Sequence, residues 1–142
     1  MEEAKQKELQ ERYMEMQMLE QQIRQIQQQI QMLENQLMEL IATSQGLDDF
    51  EKTSIGTDIL VPLSPGIFTK ATLKDNKDVI VNVGANVAVK KDIRSTKDLI
   101  NKQAVEIKRF QEEMMVELQK LGLKAGSIEQ EINNTIGEEG NK

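Results

Sequence analysis

Residues 58–90 decide the fold and read DILVPLSPGIFTKATLKDNKDVIVNVGANVAVK. The stretch holds four short runs rich in β-branched residues, which favour strands, and turn residues such as Pro65-Gly66 separate them. This order predicts two consecutive β-hairpins. Pro62 cannot donate a hydrogen bond to a neighbouring strand, so its strand is expected at a sheet edge there. Asn86 suits a turn position that needs a positive φ.

Two proline-free segments, rich in residues that favour helices, flank the hairpins. In the first, about residues 3–52, apolar residues recur at alternating steps of three and four. In the second, about residues 92–136, they recur every seven residues, with a second series between them. Heptads sustained over this length predict a coiled coil. At the start of the second helix, Ser95 with Asp98 resembles a capping box, and Asp92 is an alternative cap.

The two hairpins return the chain close to where it left the first helix. We therefore expect the helices to pair with each other as an antiparallel coiled coil. If Lys52 lies opposite Asp92, nearly every layer of the seam pairs two apolar residues, although a slip by one heptad would also fit. In this register Met16 faces Ile128, Leu19 faces Ala125, Ile23 faces Leu121, Ile26 faces Leu118, Ile30 faces Met114, Leu33 faces Gln111, Leu37 faces Ile107 and Leu40 faces Ala104.

The predicted fold class is α+β, a long antiparallel two-helix coiled coil joined by two β-hairpins that assemble into an oligomeric β-barrel. All 142 residues form one domain, with residues 137–142 as a flexible tail. Isolated hairpins are marginal in water, and two narrow helices cannot cover four strands, so the hairpins of several subunits should join. The residues expected to carry this oligomerisation are Ile59, Val61, Leu63, Ile67, Phe68, Val79, Val81, Val83, Val87 and Val89.

The composition removes most enzyme chemistry. The chain has no His, Cys or Trp, so it lacks an imidazole base, a thiolate nucleophile and soft metal ligands. We therefore expect no enzyme, no cofactor and no bound metal. A net charge of -6 without a basic stripe argues against nucleic acid as a partner. No apolar run is long enough to cross a membrane, so we expect a soluble, cytoplasmic protein.

The most distinctive stretches of the central segment are Ile59–Leu63, Gly66–Phe68, Lys70-Ala71, Val79–Gly84 and Val87–Lys90. Together with the order helix, two hairpins, helix, they resemble the alpha-type subunit of prefoldin, of the archaeal, two-hairpin class. The resemblance implies a hexamer of two alpha and four prefoldin beta subunits, with the hairpins at its base. It also implies that the complex binds unfolded client proteins at the coiled-coil tips without ATP and passes them to a group II chaperonin.

With the hairpins as the base, the tip of the coiled coil lies at the two chain ends. Gly122 and Gly126 each cost about 1 kcal/mol of helix stability. We therefore expect the seam to be well packed from Ile23 to Leu40 and to thin out toward the glycines, where opening would expose apolar side chains. Flexible Met side chains suit varied partners. The predicted client-binding residues are Leu9, Tyr13, Met14, Met16, Met18, Leu121, Leu123, Ile128, Ile132 and Ile136.

Two other functions compete with a chaperone. A coiled-coil scaffold or adapter that binds folded partners would have the same helices, but it predicts a homo-oligomer and one fixed partner motif. An enzyme needs a pocket, which a two-helix rod lacks. Met14 or Met18 taken alone is as readily ordinary helix surface, so the chaperone prediction depends on the whole group. A one-hairpin partner subunit, together with suppression of aggregation without nucleotide, would favour the chaperone over both.

Overall fold

The computed structural model describes residues 2–140 and consists of two long helices with two β-hairpins between them. The predicted α+β class is confirmed. Apart from the end of the second helix, the bounds differ from the expected ones by no more than two residues. In chain order the elements are α1 (Glu2–Lys52), β1 (Asp58–Ser64), β2 (Ile67–Thr72), β3 (Asp78–Gly84), β4 (Val87–Asp92) and α2 (Ile93–Gly140).

The helix α2 extends further than the expected bound of about residue 136. The helix continues through Gly140, so residues 137–140 are helical, while residues 141 and 142 lie outside the described part of the chain. The glutamates at 138 and 139 favour a helix, and Gly137 costs only about 1 kcal/mol within one. The preceding turns of α2 are therefore able to extend the helix through this glycine.

Each hairpin forms its own two-stranded antiparallel sheet, in which β1 pairs with β2 and β3 pairs with β4. Pro62 lies opposite Phe68, and within residues 2–140 no third strand adjoins it, so its predicted edge position is confirmed. The second turn holds Ala85 at φ 51° and Asn86 at φ 61°, the left-handed pair that tight two-residue hairpins require. The positive φ expected for Asn86 is thus also confirmed.

The contacts divide the chain into two units. The helical unit comprises Met1–Gln36 and Ile107–Lys142, and the hairpin unit comprises Leu37–Glu106. In the helical unit, α1 and α2 bury a cluster of apolar side chains against each other, in agreement with antiparallel pairing. Leu19, Ala125, Ile128 and Ile132 form this cluster, and Leu9, Met16, Ile23 and Leu121 pack against it.

Two polar contacts across the helical unit fix the register of the pairing. Arg12 Nη1 lies 2.9 Å from Glu131 Oε2, and Gln111 Nε2 donates to Glu34 Oε2 at 3.0 Å. A slip by one heptad would move either pair about 10 Å apart along the helices, because an α-helix rises about 1.5 Å per residue. The predicted register is therefore the one that the structure has.

The burial of side chains along the seam differs from what we expected. In the helical unit the buried side chains cluster around Leu19 and Ile128, whereas Ile26 and Ile30 are only half-buried. The seam is thus tightest in the part that we predicted to be thin. Gly122 and Gly126 do not loosen it, because they lie between seam positions, and a Cβ placed on either would meet nothing within 4 Å.

In the hairpin unit, polar contacts connect the end of α1 to the start of α2. The Lys97 ammonium forms ion pairs with the carboxylates of Asp48 and Glu51, which raise the pKa of Lys97 above its ordinary value. Asn76, in the loop between the hairpins, donates to the Thr53 carbonyl oxygen at 3.0 Å. These contacts hold both helix ends beside the strands.

The N-terminal cap of α2 is Asp92 and not Ser95, which a capping box of Ser95 with Asp98 would have required. The Ser95 backbone N–H donates to Asp92 Oδ1 at 2.7 Å, which satisfies one of the amides that a helix N-terminus leaves free. Hydrogen bonds from the Ser95 side chain and then from its backbone hold the pKa of Asp92 below the ordinary value of 3.8. The ionised carboxylate is therefore the form that the fold favours.

Removal of this cap gives a pH-dependent prediction. The Asp92→Ala variant should unfold at a lower temperature than wild type at pH 7, and Asp92→Asn should lose less, because the amide oxygen still accepts from Ser95. Because folding lowers the pKa of Asp92, its charge stabilises the fold above the unfolded value near 3.8. That contribution disappears as the pH falls through the pKa that Asp92 has in the folded state. The difference in unfolding temperature between wild type and Asp92→Asn should therefore vanish there. Thermal unfolding followed by circular dichroism measures both effects, and a gap independent of pH would contradict the assignment.

The two glycines of α2 generate a second prediction. The Gly122→Ala and Gly126→Ala variants should each stabilise the protein by about 1 kcal/mol, since Ala favours a helix and open space surrounds both sites. Urea unfolding measures the gain. The matched control is Gly66→Ala, which should destabilise, because Gly66 has a φ of 80° that side chains disfavour. Equal destabilisation by all three substitutions would show that the helix glycines have a packing role.

Candidate functional site

The structure separates the predicted client-binding residues into two groups. Five of them belong to the seam of the helical unit and are buried or half-buried: Leu9, Met16, Leu121, Ile128 and Ile132. The other five lie on the outer surface of the same unit and are exposed: Tyr13, Met14, Met18, Leu123 and Ile136. The second group can meet another protein through its exposed side-chain surface without separation of the helices.

The outer group is exposed because of its place in the heptads. Met14 and Met18 lie one turn apart on α1, between seam positions, and both are more than 60% exposed. Leu123 on α2 is 78% exposed. A two-helix coiled coil covers only the seam, so these side chains stay in water even though the helices are fully paired. An apolar surface is thus present without any opening of the tip.

A cleft of about 480 Å³ lies between α1 and α2 within the helical unit. Its apolar part comes from Tyr13, Met16 and Ile132. Two carboxylates and two amides complete the lining, and the sequence prediction missed all four of them: Glu20, Glu129, Gln17 and Asn133. Glu20 and Glu129 flank the seam, so the heptad positions would have identified them as neighbours of the apolar residues.

The charges of the helical unit are distributed unevenly around this cleft. Arg12 contacts Glu131 at 2.9 Å, Glu15 at 3.7 Å and Glu8 at 3.9 Å, so acidic side chains there share one guanidinium. Neither Glu20 nor Glu129 has an ion pair within 4.0 Å among the described residues. The cleft is therefore lined by two carboxylates that form no close ion pair, and the cation nearest to Glu20 along its own helix is Arg24, four residues on.

The hairpins also present apolar side chains to solvent, although not all of those predicted. The exposed ones among them are Val61, Leu63, Ile67, Phe68, Val83 and Val87. Ile59, Val79, Val81 and Val89 are half-buried within the chain instead. The helices shield part of β3, since Leu40, Leu47 and Leu99 line one cleft together with Val79 and Val81, while Val83 on the same face of β3 remains exposed.

Each hairpin also exposes a large aliphatic residue on its opposite face, and the sequence prediction missed both of them. Leu60, which pairs with Lys70, is 64% exposed, and Ile80, which pairs with Lys90, is 78% exposed. Strict alternation assigns these residues to the outer face, where polar side chains are the rule. The first hairpin thus exposes apolar residues on both faces of β1, at Leu60 on one and Leu63 on the other.

Comparison with known proteins identifies the family. A family model described as a prefoldin subunit matches residues 19–138, which include both hairpins and most of both helices. The chain belongs to the prefoldin family. Prefoldins are chaperones. Within residues 2–140, neither α1 nor α2 is long and apolar enough to cross a membrane.

The relatives of this prefoldin chain are alpha subunits, as the resemblance implied. A prefoldin subunit alpha of Methanobrevibacter smithii is 32% identical over 93 residues, which are 65% of this chain and 62% of that protein. The corresponding protein of Methanococcus aeolicus is 28% identical over 129 residues, or 91% of this chain and 88% of that protein. That of Archaeoglobus fulgidus is 26% identical over 91% of this chain and 94% of that protein.

A solved structure shares the fold. The cryo-EM structure of filamentous PFD from Methanocaldococcus jannaschii superposes with a TM-score of 0.74 and 17% identity. The match covers 81% of this chain and 95% of that one. At this identity the likeness concerns the fold alone, and it confirms the arrangement of two long helices and two hairpins.

The exposed hairpin residues give a prediction about assembly. Leu60→Asp combined with Ile80→Asp should shift the protein to smaller species, because a charge on each outer face opposes burial against another subunit. Sedimentation velocity of the chain, alone and with a one-hairpin prefoldin partner, measures the change. Val105→Asp is the control, since Val105 is 67% exposed on α2 and outside the hairpins. Unchanged assembly of the double variant would show that these faces stay in solvent.

Proposed function

We propose that this chain is a subunit of an ATP-independent molecular chaperone that binds non-native polypeptides through the outer surface of its helix ends. The observation that carries the proposal is the exposed group Tyr13, Met14, Met18, Leu123 and Ile136 in the helical unit. These side chains are large and apolar, and they surround a closed, well-packed seam. Unfolded polypeptides expose the same kind of side chain, so contact buries apolar surface on both partners.

The chemistry of the exposed group supports varied clients rather than one fixed partner. Methionine is unbranched and polarizable, so Met14 and Met18 can adapt to side chains of different shape. An adapter for a single folded partner would instead need a fixed pattern of rigid anchors with satisfied polar contacts. Binding of this kind needs no nucleotide and no catalytic residue.

Family membership and the exposed hairpins support an oligomeric form of this chaperone. The assembly that we propose is a hexamer of two copies of this chain and four prefoldin beta subunits, joined through their hairpins in a β-barrel base. We further propose that the complex acts in the cytoplasm and delivers its clients to a group II chaperonin. The apolar surfaces of Leu63, Phe68 and Ile80 support the hairpins as the joining element.

Point substitutions test the binding surface better than truncation does. Deletion of the residues before Leu19 and after Gly122 would also remove Ile128 and Ile132, which bury Leu19 in the seam. A loss of activity in such a variant would then combine two causes, damage to the coiled coil and loss of the exposed group.

We predict that Met14→Gln combined with Met18→Gln weakens suppression of client aggregation by severalfold while leaving assembly and thermal stability unchanged. Glutamine keeps the length and the helix propensity of methionine but removes its apolar end. Light scattering of an unfolded model protein, diluted from denaturant without nucleotide, measures suppression. The matched control is Met32→Gln, since Met32 is as exposed as Met14 but lies 18 residues further along α1. Equal loss in both variants would locate binding along the whole helix, and no suppression by wild type would refute the function.

A further inference from the structure

The cleft between Tyr13 and Ile132 has a chemistry of its own, distinct from the outer methionines. We propose that it selects client segments in which an apolar side chain is flanked by lysine or arginine. This inference rests on the proposed function, because it names the class of polypeptide that the same helix ends prefer. The lining of the cleft and its two carboxylates without an ion pair support it separately.

The size and the apolar part of the cleft suit one large side chain. Its volume of about 480 Å³ falls in the range of pockets that bind small ligands. Tyr13 and Met16 provide aromatic and thioether surface that can contact a Leu, Met or Phe side chain, and the buried Ile132 forms the bottom of the lining. The buried Ile132 belongs to the core of the helical unit, so this part of the cleft is held in place by the seam.

The polar residues of the cleft favour particular client residues on either side of the bound apolar side chain. Glu20 and Glu129 come from different helices, line the same cleft, and have no ion pair among the described residues. A basic residue on either side of a client's apolar side chain would meet one of these carboxylates. An acidic residue would meet like charge in both directions. Gln17 and Asn133 add amides that can both donate to and accept from an extended backbone.

Gly122 lies outside the lining of the cleft, on the face of α2 that also carries Glu129. It precedes Glu129 by seven residues, two turns of helix, so both lie on the same face of α2. Nothing lies within 4 Å of the position that a Cβ on Gly122 would occupy. An extended polypeptide can therefore leave the cleft along α2 beyond Glu129 without meeting a side chain at this position.

The opposite side of the seam provides an internal comparison. There Arg12 already pairs with Glu131 and lies beside Glu15, so a basic client residue would have to compete with a guanidinium. On that side the acidic groups share one ion-pair partner, whereas Glu20 and Glu129 have none within 4.0 Å among the described residues. The preference for basic flanks is assigned to the side of Glu20 and Glu129.

The test uses the full-length chain in the assembled form in which it is purified. Three fluorescent unfolded peptides share one apolar centre, Leu-Phe-Leu, and differ only in flanking pairs of Lys, Ser or Glu. Fluorescence anisotropy at low ionic strength measures their dissociation constants. The Lys-flanked peptide should bind roughly three- to tenfold more tightly than the Ser-flanked one, as expected for two exposed ion pairs, and the Glu-flanked peptide should bind most weakly. The preference should decrease as salt is added.

Two double variants separate the cleft from the overall negative charge. Glu20→Gln with Glu129→Gln should remove the preference while retaining binding of the Ser-flanked peptide. Glu11→Gln with Glu113→Gln changes the net charge equally, also with one exposed residue on each helix, and should retain the preference.

Three outcomes would overturn the inference. Equal affinities for the three peptides in wild type, with suppression of aggregation intact, would refute selectivity and leave the proposed function standing. A preference that survives in Glu20→Gln with Glu129→Gln, or that both double variants lose equally, would refute the cleft as its origin. Absence of aggregation suppression in wild type would instead refute the proposed function itself.

Discussion

A two-helix coiled coil can bury only the stripe along which its helices touch, and the other features of this chain depend on that constraint. In the helical unit the stripe contains Leu19, Ala125, Ile128 and Ile132. No third helix of the described chain covers the remaining faces, so an apolar residue between seam positions stays in water. Met14, Met18 and Leu123 are therefore exposed by the geometry of the pairing and not by local unfolding.

The same constraint explains why the hairpins need partners. A two-stranded sheet has two faces and two free edges, and hairpins of this kind are marginal when isolated. The helices half-cover Val79 and Val81 on one face of β3, but Ile80 on its other face and both faces of β1 remain apolar and exposed. Assembly with other prefoldin subunits is the arrangement that removes this surface from water.

The features predicted correctly from the sequence were those set by periodicity and by local turn chemistry. Heptads determine which faces of the two helices meet, so the register was predictable to within one heptad, and the contacts of Arg12 with Glu131 and of Gln111 with Glu34 fixed it. Asn86 was predictable because few residues tolerate a positive φ. By contrast, Leu60 and Ile80 were missed because alternation marks their face as polar. The pairing of Arg12 with Glu131 rather than Glu129 depends on how long side chains cross the seam, which one sequence does not specify.

The closed seam limits the ways in which a chaperone of this kind can bind a client. Exposure of a buried Ile128 or Ile132 would cost roughly 1.5–3 kcal/mol for each side chain, because each would lose its apolar contacts to water. A weak client contact would return little more than that, so opening the helices gains almost nothing. Contact with side chains that are already exposed avoids this cost and leaves each interaction weak and reversible. Several such helix ends in one assembly would then hold a client through their combined effect, since linked weak sites bind far more tightly than single ones.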